Sequence, residues 1–451
     1  MKIKKLFISG MFGDFTYDLN FESVLNNVII LTAPNGYGKS TILKIIDQFF
    51  NIKFDELIDE SFNFFEIYFD DQKVRVEKND EILRISYGED YHYTIRKSVF
   101  IEHNKKFKYI LKNEVPYMKK VRHNCWIDTR DNEIIDTKEL LDRYSFLFPD
   151  ENLNIEYDKK LIELLDKDVF FVEADRLNNI NYNDNNSDHN EEFSAINTLS
   201  ESIKRLISDA KEKQYAIAMD QSTNFPERVM YLLSEDTNID IRKVVDKIIE
   251  ISTFDKNFNK NEIFGNLSLN PNIIGKLKNE QLYDNKSFLM VLSSYLDDVI
   301  QRINICSDLA ERISLFKKSV NSLLQFKTIN IHPTFGLIVE KNSKEKNSKE
   351  KLNKEKINKF NKGDFSINLL SSGEKHLIIL LGNLIFNTKF GSFVLIDEPE
   401  ISLHAAWQKK LLGLIEEISR INSFNTLIAT HSFTLIDGNW DSTIELAGLV
   451  K

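Results

Sequence analysis

The sequence predicts an α/β fold: a mixed sheet around a glycine-rich loop, an antiparallel β subdomain, and an inserted helical or short coiled-coil domain. Three observations carry it. Continuous apolar runs at Val28–Thr32, Phe393–Ile396 and Thr426–Thr430 mark strands buried on both faces. Alternating runs between Phe64 and Arg96 mark a half-exposed meander, and apolar positions at steps of three and four between 196 and 324 mark paired helices.

Composition narrows the class. The chain has 451 residues, 42% of them hydrophobic, enough for a sizeable core and a second module. A net charge of −10 and a pI near 5.5 argue against coating nucleic acid by bulk electrostatics. Cys125 and Cys306 are too few for a disulfide framework and lack metal-site spacing, so both read as buried fillers in a reducing cytoplasm. No run of apolar residues has transmembrane or signal-peptide character, which predicts a soluble, unexported, cytoplasmic protein.

In chain order, Ile3–Ser9, Thr16–Phe21 and Val28–Thr32 read as strands and Ser40–Phe50 as a helix. Four runs, Phe64–Phe69, Lys73–Lys78, Glu81–Tyr87 and Tyr91–Arg96, are separated by Asp- and Asn-rich breaks and form the meander. A hairpin is expected around Trp126–Ile135 and a helix from Thr137. Val169–Val172 is another buried strand, ending in Glu173-Ala174-Asp175-Arg176, and an Asn/Asp-rich loop covers 178–191. One seam runs through Ile196, Leu199, Ile203, Leu206, Ala210 and Ile217; a second, from Leu292 to Leu324, is interrupted at Lys317. The two helices read either as an antiparallel arm or as part of a bundle. A strand at Phe335–Glu340 precedes the lysine-rich tract 341–362, which reads first as a solvated hairpin tip, with a nucleic-acid contact as the alternative.

The chemistry lies at the ends of the apolar runs. After Val28–Thr32 comes Ala33-Pro34-Asn35-Gly36-Tyr37-Gly38-Lys39-Ser40-Thr41, a P-loop between strand and helix with Ala33 where a glycine is usual. Gly36 and Gly38 let successive backbone N–H groups turn towards a β-phosphate, Lys39 reaches the β- and γ-phosphates, and the Ser40 hydroxyl is a Mg²⁺ ligand. Asn35, Tyr37 and Thr41 complete the phosphate-binding set. After Phe393–Ile396 come Asp397 and Glu398, a Walker B arrangement: Asp397 holds Mg²⁺ and Glu398 deprotonates the attacking water. Phe12 or Phe15 could stack on adenine, and Arg176, at the end of its strand, faces either a nucleotide or a structural salt bridge.

Leu370-Ser371-Ser372-Gly373-Glu374 precedes an apolar helix and resembles the signature of ABC-type ATPases of the RecF, SMC and OLD-like group. Pro399–Gln408 resembles the D-loop of OLD-like proteins, with Ala405 where proline is usual and His404 at the family's dimer-interface position. His431 with Ser432, after Thr426–Thr430, resembles the switch histidine that senses γ-phosphate. The resemblance covers roughly residues 1–50 and 365–451, with the motifs in family order.

That resemblance implies an ABC ATPase head split into lobes at 1–176 and 331–451, with 177–330 as the helical insertion. It implies ATP and Mg²⁺ as cofactors, with Lys39, Glu398 and His431 catalytic. Ser371, Gly373 and Glu374 would clamp the γ-phosphate held by a second copy, so ATP would join two chains head to tail, as a pair or within a larger assembly such as a hexamer. OLD-like nucleases continue into a Toprim domain. Here the chain ends soon after His431, and no Toprim-like acidic cluster, HNH histidines or Ser/His/Asp set is found, so any nuclease belongs to a partner. The wording is similar to ATPase subunits of bacterial anti-phage systems of the PARIS and Septu types. It implies a scaffold that controls a Toprim or HNH effector and answers a phage-encoded trigger. A DNA-dependent repair ATPase of the RecF or SMC kind is the alternative, and a transporter subunit fits least.

Overall fold

The computed structural model describes residues 2–22, 27–70, 72–88, 91–122, 125–130, 133–136, 139–140, 143–147, 157–174, 195–234, 240–258, 263–264, 285–341 and 367–450. Arg176, the Asn/Asp-rich loop 178–191 and nearly all of the tract 341–362 lie outside these residues. Chain contacts divide the protein into two compact units, 1–192 with 388–451, and 193–387.

The first unit holds β1 (Ile3–Met11), β2 (Phe15–Asn20), β3 (Val28–Thr32), α1 (Lys39–Phe50), β4 (Phe64–Phe69), β5 (Gln72–Lys78), β6 (Ile82–Tyr87) and β7 (Tyr91–Arg96). Six of these strands form one antiparallel sheet in the order β2-β1-β4-β5-β6-β7. Its alternation is the expected one: Phe65, Ile67 and Phe69 are buried, while Phe64, Glu66 and Tyr68 are partly exposed. The helix α2 (Lys97–Glu114) and the small antiparallel sheet of β8 (Met118–Arg122), β9 (Cys125–Asp128) and β10 (Glu133–Asp136) follow. They share a separate core of Leu111, Val115, Met118, Trp126, Ile135, Leu140 and Tyr144.

After α3 (Lys159–Leu165), the unit's second sheet joins distant parts of the chain: β11 (Val169–Val172), β14 (Phe393–Asp397), β15 (Asn425–Thr430) and β16 (Thr443–Glu445), with β3. The order is β11-β14-β15-β3-β16 and every pairing is parallel. Parallel strands are covered on both faces, so Val28–Thr32 and Phe393–Asp397 are apolar throughout rather than alternating. One core joins the two sheets through α1: Ile42, Ile46 and Phe49 lie in the same cluster as Leu6, Ile8 and Phe65 and as Leu31, Leu395 and Leu427. Each such side chain contributes about 1.5–3 kcal/mol by burial, which is what holds the loop before α1 against the sheet. The helix α8 (Ala405–Asn422) runs between β14 and β15.

Among its described residues, the second unit is mainly helical and contains one hairpin. It contains α4 (Ala195–Ser234), α5 (Ile241–Phe258), α6 (Lys286–Leu323), β12 (Lys327–His332), β13 (Gly336–Lys341) and α7 (Ser372–Phe386). The long helices α4 and α6 run antiparallel: the Gln214 amide donates to Arg302 O at 3.0 Å and the Gln221 amide to Asp298 O at 3.2 Å, rising along one helix as they fall along the other. Arg228 closes the far end with a two-pronged pair to Asp298, at 2.7 and 2.6 Å. The helix α5 lies along α6, where Lys247 Nζ donates to Ser293 Oγ at 2.8 Å.

The second apolar seam is buried as expected, and the position that Lys317 interrupts is filled by its neighbour Phe316. The first seam needs correcting. Leu206 and Ile217 are only partly buried, and the stripe runs instead through Ile207, Gln214 and Gln221. The glutamines are buried because their amides bond to carbonyls of α6, a pairing that residue hydrophobicity cannot reveal. The helix α7 packs against α4 at Gly382, where a Cβ would come within 2.4 Å of Leu199 Cδ2. The strand β12 was not expected; its alternating Ile329 and Ile331 are the signal for it. Cys306 is buried on α6 as expected, and burial pushes its thiol up to about 11. No described helix is long and apolar enough to cross a membrane.

Candidate active site

The parallel register sets the site. Asp397 pairs with Ala429 and Thr430 with Thr32, so β14, β15 and β3 end side by side, each delivering a polar turn to one edge of the sheet. The turn after β3 is the glycine-rich loop. Gly36 and Gly38 take φ of 91° and 79°, the left-handed region open to glycine, while Asn35 and Gly36 face solvent. At Gly38 a Cβ would also meet Met11 Cε at 2.1 Å, from the β1–β2 hairpin.

Gly38 is the N-cap of α1, with no side-chain cap and no acidic residue in the first turn. The first N–H groups of the helix therefore lack a built-in acceptor from a cap and keep their partial positive charge for an anion. Lys39 is buried, and its ammonium spans the loop, donating to Ala33 O at 2.7 Å and Pro34 O at 3.3 Å. Tyr37 is braced from behind: its carbonyl accepts the Tyr17 hydroxyl at 2.9 Å and its ring stacks on Phe15 at 5.9 Å. Burial holds the Tyr17 phenol up to about 12, so it stays a donor. With Phe15 occupied by Tyr37, Phe12 is the free face of the pair: it is 49% exposed at the hairpin tip beside Gly38.

The turn after β14 brings the acids. Ser40 Oγ donates to Asp397 Oδ1 at 3.0 Å across 357 positions of sequence, which joins the loop to the strand end. Asp397 is 5% exposed; burial pushes its carboxyl up and the charge of Glu398 adds to this, against the Ser40 hydroxyl, which pulls it down. Two neighbouring carboxylates and a hydroxyl, all hard oxygen donors, with the buried acid under electrostatic stress, are a set that Mg²⁺ fits and relieves.

Glu398 sits at φ 42°, a left-handed conformation that costs a non-glycine residue about 1–3 kcal/mol. Its backbone is pinned there by the bond from its N–H to Ala429 O at 2.8 Å and from Ile401 N–H to its own carbonyl at 3.2 Å. The turn after β15 supplies His431, half-exposed, with Nδ1 3.2 Å from Glu398 Oε1. Nδ1 donates to the carboxylate in the tautomer that carries its proton there.

The structure thus brings together Lys39, Ser40, Asp397, Glu398 and His431, with Asn35, Gly36, Tyr37, Gly38 and Thr41 on the loop and first turn. Ser371, Gly373 and Glu374 belong to the other unit. There Ser371 caps α7 in a reciprocal box: Glu374 N–H donates to Ser371 Oγ at 3.3 Å and Ser371 N–H to Glu374 Oε2 at 2.7 Å. His404 caps α8, its Nδ1 accepting from Ala406 N–H at 3.2 Å.

Three residues with no role in the sequence reading stand out. Lys327 donates to Glu374 Oε2 at 2.7 Å and to Leu369 O at 2.6 Å. Burial alone would raise the Glu374 carboxyl, but the bonds from Lys327 and Ser371 outweigh it and hold it below the ordinary value. Glu400 and Gln408 both bond to the turn that carries His431. Lys327 leaves no motif in the sequence, whereas Glu400 and Gln408 are fixed words of the D-loop pattern.

A family model described as an AAA ATPase domain matches residues 1–436. Among solved structures, the Smc head domain with an extended coiled coil bound to the C-terminal domain of ScpA, from Pyrococcus furiosus, matches at 15% identity and a TM-score of 0.38, covering 98% of this chain and 92% of that one. The SmcHead bound to the C-winged helix domain of ScpA matches at 13% and 0.35, covering 99% and 94%. The SMC head domain from Thermotoga maritima matches at 13% and 0.32, covering 97% and 92%. A search of curated proteins returned no match.

Proposed function

We propose a function from one premise: this chain belongs to the AAA ATPase domain family. It is an ATPase, and the reading that fits its residues best is an ABC-type enzyme whose catalytic sites are completed by a second copy. In it, 1–176 and 331–451 are the two lobes of one head and 177–330 is the helical insertion. The observation that supports this most is the meeting of three strand ends, where Ser40 bonds to Asp397 and His431 to Glu398.

In this reading the bare N-terminus of α1 and the loop N–H groups receive the β-phosphate, and Lys39 exchanges its carbonyl partners for phosphate oxygens. Ser40 and Asp397 hold Mg²⁺, whose chemistry is to neutralise charge that builds on the phosphates. Glu398 accepts the proton of the attacking water, and His431, with a proton on each ring nitrogen in this reading, gives Nδ1–H to Glu398 and Nε2–H to the γ-phosphate. Phe12 stacks on the base.

Ser371, Gly373 and Glu374 of a second copy approach the same γ-phosphate. The Ser371 oxygen accepts from Glu374 N–H, and its own hydroxyl proton remains to be given to that phosphate, so capping and clamping are compatible. ATP then binds two chains together and hydrolysis releases them. The role served is that of a cytoplasmic scaffold in anti-phage defence, controlling a separate Toprim or HNH nuclease in response to a phage-encoded trigger.

The test is the mass of the Glu398→Gln variant in solution. With ATP and Mg²⁺ it should form a dimer or a multiple of it, and without ATP it should not. An unchanged mass in both conditions overturns the two-copy site, and a chain that co-purifies with no nuclease overturns the scaffold role.

A further inference from the structure

The turn that presents His431 is tied at one end to the loop that follows Glu398 and at the other to the first turn of α8, into which that loop leads. At one end stands Glu400, 5% exposed. Its Oε1 accepts the Thr430 hydroxyl and the His431 backbone N–H, the latter at 3.2 Å, and lies 3.5 Å from His431 Nδ1. At the other end, Ser432 Oγ donates to Gln408 Oε1 at 2.9 Å, and the Gln408 amide donates to Leu403 O at 2.9 Å. Ser432 N–H closes the ring on Thr430 Oγ1, at 2.9 Å.

One oxygen of Glu400 carries all of its bonds to the turn. Its second oxygen, Oε2, is buried and has no hydrogen-bond partner among the described residues. A buried carboxylate with an unanswered oxygen costs free energy that an apolar side chain would not. What the acid does provide is geometry: one oxygen fixes the Thr430 side chain, the His431 backbone and the near side of its imidazole. Glu398 takes the same Nδ1 at 3.2 Å, so two carboxylates two residues apart hold one ring from one side. The Nε2 edge is what remains for a phosphate.

We infer that Glu400 is a positioning residue, seconded by Gln408, that locks the Thr430–Ser432 turn to the loop after Glu398 so that His431 and Glu398 address the same phosphate. It acts through His431 and touches no substrate. The loop bearing Glu398 and the turn bearing His431 consequently move as one piece. This rests on the ATPase reading for its consequence but not for its geometry, and the experiment separates the two.

Glu400→Ala removes the accepting oxygen, while Glu400→Gln keeps a carbonyl oxygen in the same place. In protein labelled with ¹⁵N-histidine, with the His431 signal assigned by its loss in His431→Gln, Glu400→Ala should move the imidazole resonances towards those of a free ring. Glu400→Gln should leave them near the parent's. In steady-state ATP hydrolysis, Glu400→Ala should lose at least tenfold in kcat with KM within about threefold, and Glu400→Gln should recover most of kcat. Should Glu400→Ala fail to fold, Gln408→Ala reads the other tie in the same two assays, with a smaller loss. His431 resonances unmoved in Glu400→Ala, or kcat within twofold of the parent, overturn the assignment. A parent with no ATP turnover overturns the ATPase reading alone, because the spectra still decide the tie.

Discussion

Two helix N-termini carry the proposed phosphate contacts, and they are built in opposite ways. The first turn of α1 is bare: glycine at the N-cap, no capping side chain and no acid. The first turn of α7 is answered in advance, with Ser371 and Glu374 bonded to each other's backbone N–H and Lys327 bonded to Glu374. The first arrangement is incomplete without an anion and is suited to holding one from the start. The second is stable alone, with Lys327 cancelling the acid that would otherwise repel a phosphate, and it offers only a spare hydroxyl proton. In the proposed function, that contrast makes α1 the strong primary site and α7 the weak, switchable clamp.

The largest effect should come from Lys39→Ala. The ammonium bridging Ala33 O and Pro34 O is the main fixed charge of the bare site, so ATP affinity by isothermal titration should fall at least about 100-fold, or about 2.7 kcal/mol. Unchanged affinity would remove the anion-receptor reading of α1.

Next comes Lys327→Met, which leaves Glu374 largely buried and without its cation. By denaturant unfolding it should lose about 1–3 kcal/mol at neutral pH, and Glu374→Gln added to it should restore most of this. The sign with pH follows from the lowered carboxyl: this stabilisation is present above the ordinary carboxylate pKa of 4.5 and is lost as pH falls through the folded-state value. The parent should therefore weaken more steeply in acid than the Lys327→Met variant; parallel curves would show that the pair does not matter.

The smallest effect belongs to Ser371→Ala. Losing the cap should cost about 1 kcal/mol of stability, visible in calorimetry, while leaving ATP binding to a single chain unchanged. If the clamp reading holds, ATP-dependent assembly falls by more than this loss of stability explains. A variant that melts lower but assembles normally would make Ser371 a cap and nothing else.

Much of the fold was legible because its signals are local. Buried parallel strands are apolar throughout, meander strands alternate, and turns need glycine or acids, so β4 to β7, β3, β14 and β15 fall within a residue or two of where the runs place them. The residues of the candidate site were legible for the same reason, since Asp397, Glu398 and His431 stand directly after buried runs and Lys39 and Ser40 close the glycine loop that follows another. The first helical seam was misplaced at Leu206 and Ile217 because its true partners, Gln214 and Gln221, are buried by bonds to α6 and not by their own hydrophobicity.

By itself, then, the chain's order of residues determined the elements, the glycine loop and the acids at the strand ends, because those depend on steric limits and burial over a few neighbours. Only the tertiary structure decided which strand ends lie side by side, which acid ties down His431, and which cation answers Glu374. Those depend on distances between atoms brought together from 30 to 357 positions apart. No pattern in a short stretch of sequence encodes a hydrogen bond whose partner is elsewhere in the chain.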